Sequence, residues 1–214
     1  MKQAKSNRIR KNGRAKTGKV NRRHHILFAT EKILRSRGLS GATTRHIAET
    51  AGCSEGALYV HFNDRVELLL AVLEESLPDM LGPVHALTAS IGKGTPQKNL
   101  EKALEGIFSF HQRVTPMIAS LFSEPELLDR YRKSLARETK GPGRAIRNLA
   151  GYIRQEQELG RLPSNVDAQL AATLLTSASF FRAFTEQFFG TPASPPARRF
   201  FRQVIASVTS GPPK

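Results

Sequence analysis

Residues 43–68 read TTRHIAETAGCSEGALYVHFNDRVEL, and this stretch decides the fold. Ile47, Ala48 and Ala51 fall at i, i+1 and i+4, which gives a short helix one narrow apolar face, and the hydroxyl of Thr43 precedes it as a cap. Gly52 follows the last apolar position and can take the left-handed conformation that ends a helix. Ser54 is placed to cap a second helix, in which Leu58 and Phe62 lie four apart and face inward. Glu55, Gly56, Ala57, Tyr59, Val60 and His61 are left for solvent or a groove. Asp64 and Glu67 make a D-x-x-E cap for a further helix from 65 to about 76. Two helices crossing after about a three-residue turn are a helix-turn-helix, which places the second helix against DNA.

The outward face of that second helix is small at its start and polar-aromatic at its end. Small residues let the helix approach base edges, while Tyr59, His61 and Arg65 carry groups able to reach phosphates. Glu55 is acidic where the helix meets a polyanion. It either costs affinity or accepts a hydrogen bond from a cytosine amino group.

Upstream, the spacing predicts a helix over 20–37 with Ile26, Ala29, Thr30, Ile33 and Leu34 on one face, ended by Gly38. From about residue 22 to 75 the chain resembles the DNA-binding domain of the tetracycline-repressor (TetR) family of bacterial transcription regulators. The carrying features are I-L-F-A-T at 26–30, I-L-R-S-R-G at 33–38, T-T-x-x-I-A-x-x-A-G-x-S, A-L-Y-x-H-F and R-x-E-L. The resemblance implies an all-α protein: an N-terminal three-helix helix-turn-helix domain, then an all-helical domain that dimerises and binds a small effector. By position it assigns Glu55, Ala57 and Val60 to bases and Thr44, Tyr59, His61 and Arg65 to phosphates; Thr43, Ser54 and Gly56 complete the expected DNA-binding set. Arg65 stands where the family more often has lysine, which keeps the charge and permits a bidentate phosphate contact.

The chain has 214 residues and a net charge of +15, with a pI near 10.6, favouring anionic partners. Lys2, Lys5, Arg8, Arg10, Lys11, Arg14, Lys16, Lys19, Arg22 and Arg23 are met by no acid within 1–23. Residues 1–19 read as a disordered basic arm able to lie along phosphates or in the minor groove. Domain bounds follow as 1–19 for the arm, 20–76 for the helix-turn-helix and 77–209 for the helical domain. The rival reading is a nonspecific nucleic-acid or membrane-surface binder working through the arm.

Neither a signal-peptide core nor a run of roughly 18 apolar residues occurs, so a cytoplasmic protein without a membrane partner is expected. Cys53, the single cysteine, forms no internal disulfide and reads as a packed thiol in the turn, or as a redox switch if exposed and acidic. His24 and His25 are adjacent on a helix and do not point at one ion. With six scattered histidines and no G-x-S-x-G, H-E-x-x-H or phosphate loop, the sequence argues against an enzyme and calls for no metal or cofactor.

Beyond residue 76, Pro78, Gly82-Pro83, Gly92, Gly94 and Pro96 predict short pieces joining the domains. A helix is expected over 97–112, a separate apolar turn after Pro116, a segment over 127–139 and another from about 143 to 160. An effector between these helices would meet Phe108, His111, Met117, Phe122, Tyr131, Tyr152, Phe180 and Phe184, and their mixture suits a mostly hydrophobic molecule. These apolar stripes equally serve as ordinary core.

Seven of the twelve phenylalanines fall between 180 and 201. Leu170, Leu174, Ala178, Phe181 and Phe188 recur at helical steps over 166–189, and a helix over 196–208 presents Phe201, Val204, Ile205 and Val208. In the family two such helices per subunit form a four-helix bundle, so these nine residues are the expected homodimer contacts, with a buried core helix as the other reading. A two-fold dimer would set two reading helices about 34 Å apart on double-stranded DNA and demand a palindromic operator.

Overall fold

The computed structural model describes residues 2–75, 77–137 and 142–210, and every regular element among them is a helix. The chain divides into two compact units, 1–73 and 74–214.

In the first unit, α1 (Lys2–Gly41) supplies the floor. Ile26, Ala29, Thr30, Ile33 and Leu34 are all buried, and the Thr30 hydroxyl donates to the Ile26 carbonyl at 2.7 Å, which lets a polar residue sit in the core. The helical conformation is interrupted at Gly38, with φ 64°. Upstream, the backbone continues as helix to Lys2, where composition alone suggested an unfolded arm. Lys, Arg, Ala and Gln are good helix formers, and extending a packed helix costs far less than nucleating a new one.

Helix α2 (Thr44–Ala51) packs on α1, and α3 (Glu55–Tyr59) packs on α2. The Thr43 side chain accepts the His46 N–H at 3.2 Å. Gly52 adopts φ 66°, and the amides of Gly52 and Cys53 return to the Glu49 and Ala48 carbonyls at 3.2 and 2.9 Å. These paired bonds satisfy carbonyls that the helix end would otherwise leave open. Helix α4 (Arg65–Glu75) starts on the expected cap: Asp64 accepts the Glu67 N–H at 2.6 Å, and Glu67 accepts the Asn63 N–H at 2.7 Å.

In the second unit the centre is α6 (Pro96–Leu121), which touches α5 (Leu77–Thr88), α7 (Pro125–Arg137), α9 (Ala168–Phe189) and α10 (Ala197–Thr209). Helix α8 (Pro142–Glu158) packs on α5 and α9. Two prolines expected to break the chain lie inside helices. Pro83 sits within α5, where its ring meets Gly106 of α6 so closely that a Cβ at 106 would clash with the Pro83 ring. Pro116 sits within α6, so the helix expected over 97–112 and the separate turn after it are one element. A proline has no N–H for the carbonyl four residues back, here that of Gln112. That carbonyl accepts the Gln187 side-chain amide of α9 at 3.4 Å. The expected segment over 127–139 is α7, and residues 138 and 139 lie outside the described part.

Candidate nucleic-acid interface and second-unit sites

Helix α3 has five residues, too few to hold itself, so its orientation is set by what it buries. Leu58 and Phe62 are 2% and 3% exposed, while Tyr59 is 55% and Val60 65% exposed. Arg23 of α1 lies over the Phe62 ring at 5.2 Å. Glu55, Gly56 and Ser54 are exposed, and Ala57 and His61 half-buried. A Cβ on Gly56 would meet nothing within 4 Å, so the start of this helix is an open, narrow surface. Ser54 occupies the cap position with extended backbone, yet its side chain makes no capping bond; the turn is closed by the Ala57 N–H to the Ser54 carbonyl at 3.0 Å.

Two residues assigned to phosphates are otherwise employed. Thr44 donates its hydroxyl to Glu55 Oε2 at 2.8 Å, linking the starts of α2 and α3. Arg65 is turned inward: Nε donates to the Ala42 carbonyl at 2.9 Å and a terminal nitrogen to the Leu39 carbonyl at 2.7 Å. A cation is favourable at these carbonyls, one in the last residues of α1 and one directly after it. One residue the sequence reading passed over is Arg45. It is exposed on α2 beside Thr44 and pairs with Glu49 at 3.1 Å, a surface pair weak enough for a phosphate to compete. The available signal was a cation directly after the paired threonines. Cys53 is half-buried in the turn, and His24 and His25 are exposed.

The eight expected effector residues are spread over α6, α7, α8 and α9, with Phe122 directly after α6, and they differ in burial. Phe108 and His111 are buried against α9 and α10, with Phe108 edge-on to Phe201 at 5.3 Å and His111 edge-on to Phe180 at 5.6 Å. His111 Nδ1 lies 3.0 Å from the Ser179 hydroxyl, and burial pushes its pKa down to about 4. Met117 is buried in the same helix. Tyr152 belongs elsewhere: its hydroxyl accepts from Asn99 Nδ2 at 3.0 Å, at the other end of α6, roughly 18 Å from His111 along a helix axis. Burial, then its Glu156 neighbour, pushes the Tyr152 pKa up to about 12, partly opposed by Asn99 and Ser90. Tyr131 on α7 is half-buried, and burial and Glu74 push its hydroxyl upward. Phe122 is 71% exposed, and Phe180 and Phe184 are partly exposed. A concavity on α10 is lined by Pro196, Arg198, Arg199, Arg202 and Gln203, none of them in the expected set.

The expected dimer contacts divide. Leu170, Leu174, Phe181 and Phe188 are exposed along α9 and Ala178 is half-buried, with Phe184 stacked on Phe188 at 5.9 Å. On α10, Val204 and Val208 are half-buried, but Phe201 and Ile205 are 0% and 1% exposed. Those two belong to the subunit core, because α10 turns them onto α6. Sequence reading also gave no role to Arg182. It is buried between the rings of Phe108 and Phe200 at 5.9 and 5.1 Å, paired with Glu186 at 2.9 Å and donating to the Ala193 carbonyl at 2.7 Å. It fixes the connection from α9 to α10. Among the described residues no cluster of three or more potential metal ligands assembles, and no helix is long and apolar enough to cross a membrane.

Comparison with known proteins agrees with this geometry. Residues 26–72 match the profile of the tetR family of bacterial regulatory proteins, and residues 112–210 that of the C-terminal domain of AefR-like transcriptional repressors. The HTH-type transcriptional repressor KstR2 of Rhodococcus jostii is 30% identical over 100 residues, covering 46% of this chain and 49% of the relative. The chain thus spans about half the length of that curated relative. The HTH-type transcriptional repressor BepR of Brucella suis is 24% identical over 174 residues, covering 76% and 78% of the two chains. A solved TetR-family regulator from Mesorhizobium loti superposes with a TM-score of 0.70 at 19% identity, covering 89% of this chain and 94% of its own.

Proposed function

The chain belongs to the tetR family of bacterial regulatory proteins, and from that premise we propose that it is a homodimeric transcriptional repressor, bound to a palindromic operator and released by a small hydrophobic effector. One observation carries the reading. Leu58 of α3 and Phe62 just beyond its end are buried in the core of the first unit, so Glu55, Gly56, Ala57, Tyr59 and Val60 are presented on a fixed edge. A major groove admits such a helix, and small residues at its start allow close approach to base edges. Arg45, Tyr59 and His61 flank that edge with groups suited to phosphates.

Support for the dimer comes from α9, whose exposed Leu170, Leu174, Phe181 and Phe188 follow one helical stripe while Ala171, Ala172, Leu175 and Ser179 fill the subunit core behind it. An apolar stripe on an otherwise anchored helix is the surface a second copy would cover. The effector has the buried aromatic and methionine surface between α6 and α9 as its region, around Phe108, His111 and Met117. A ligand that binds better when the reading heads are differently spaced lowers DNA affinity by linkage.

The test is selection of duplexes from a random pool by the purified full-length protein at physiological salt, with sedimentation of the bound species. Recovery of one palindromic motif bound by two subunits is the expected result. A pool without enrichment, or a complex with one subunit per site, would overturn it.

A further inference from the structure

The bond between Thr44 and Glu55 bears on the role of Thr44. Thr44 opens α2 and Glu55 opens α3, and the hydroxyl donates to Oε2 at 2.8 Å across the turn. A threonine has one hydroxyl proton. While that proton is held by Glu55, Thr44 cannot also donate to a phosphate. Phosphate contacts remain available beside it: the Thr43 oxygen accepts the His46 N–H and keeps its own proton, and Arg45 is held only by an exposed pair with Glu49. An ionised carboxylate only accepts, so on DNA it is repelled by phosphates and satisfied by a base amino group. Cytosine offers its N4 amino group in the major groove without the N7 acceptor that stands beside the adenine amino group. A carboxylate fixed in one rotamer therefore favours cytosine.

We propose, building on the DNA-reading role above, that Thr44 is the positioning residue of the base reader. Its hydroxyl occupies Oε2 and orients the other Glu55 oxygen toward a cytosine amino group, so Thr44 governs sequence preference and not phosphate affinity.

The two roles separate in one experiment. The full-length protein and its T44V, T44S and E55Q variants are put through random-pool selection, and affinities for the recovered motif and its single-base variants are measured across a salt series. The wild type is expected to prefer cytosine at one position per half-site by about tenfold. T44V should lose most of that preference while keeping the wild-type slope of log affinity against log salt, and T44S should restore it. E55Q should shift the preference toward adenine, whose N6 and N7 match a carboxamide. T44V with intact base preference overturns the assignment, and a salt slope reduced by about one per subunit would instead make Thr44 a phosphate anchor. A motif that is indifferent to E55Q overturns this inference alone. Failure of the wild type to enrich any motif overturns the proposed function together with it.

Discussion

At the scale of single residues, the side chains that hold the reading head are as informative as those that face outward. Replacing Arg65 by Ala takes the guanidinium donor from the partly buried Ala42 carbonyl and one of two donors from the Leu39 carbonyl, which keeps the Ala42 N–H at 3.1 Å. The expected cost is about 1–3 kcal/mol in chemical denaturation, with weaker operator binding as a secondary effect. His111 gives the second unit a pH signature. The unfolded imidazole titrates at 6.5 and the buried one at about 4, so between these values the unfolded chain binds a proton that the folded chain refuses. His111 therefore withdraws stability as pH falls from about 6.5 to about 4, by roughly 3 kcal/mol, and its contribution is constant above that window. Unfolding measured at a series of pH values should show a gentler decline for His111→Gln than for the wild type. Sequence placed Glu55, Tyr59 and Val60 on the outer edge correctly because helical spacing fixes which way a side chain leaves the axis. It could not give Arg65 its partners, since the carbonyls it satisfies lie 23 and 26 residues away and a charge alone does not say where its guanidinium points.

At the scale of elements, local chemistry was legible wherever a cap or a turn is encoded by neighbours. Thr43, Gly52 and the Asp64–Glu67 pair start and stop helices as their types demand. Prolines misled for the opposite reason, because whether a proline breaks a helix depends on what takes over the freed carbonyl. At Pro116 the answer is Gln187, more than seventy residues on. Helix α9 begins at Asp167, whose carboxylate accepts the N–H groups of Gln169 and Leu170 at 2.8 and 3.0 Å. Asp167→Ala should lower stability by about 1 kcal/mol, read as a shifted denaturation midpoint with an unchanged slope.

At the scale of the whole molecule, the sequence reading treated α10 as equal to α9 in forming the dimer, whereas Phe201 and Ile205 are core and the exposed stripe runs along α9. Apolar periodicity reports that a face is buried, not whether the same chain or another covers it. Phe181→Glu, 66% exposed in the subunit, should yield a folded monomer by sedimentation velocity with far-UV dichroism unchanged. Charge supplies an independent check, since residues 1–19 hold eight of the lysines and arginines of a chain with net charge +15. Deleting them should flatten the salt dependence of DNA binding while leaving the selected motif the same. The meeting of Pro83 and Gly106 has a consequence at the level of inheritance. Every missense change one base away from a glycine codon adds a Cβ, and at 106 that atom would have to occupy space already filled by a proline ring of a neighbouring helix. A side chain at 106 therefore requires the Pro83 ring or its helix to shift, and the change is better tolerated once residue 83 is smaller.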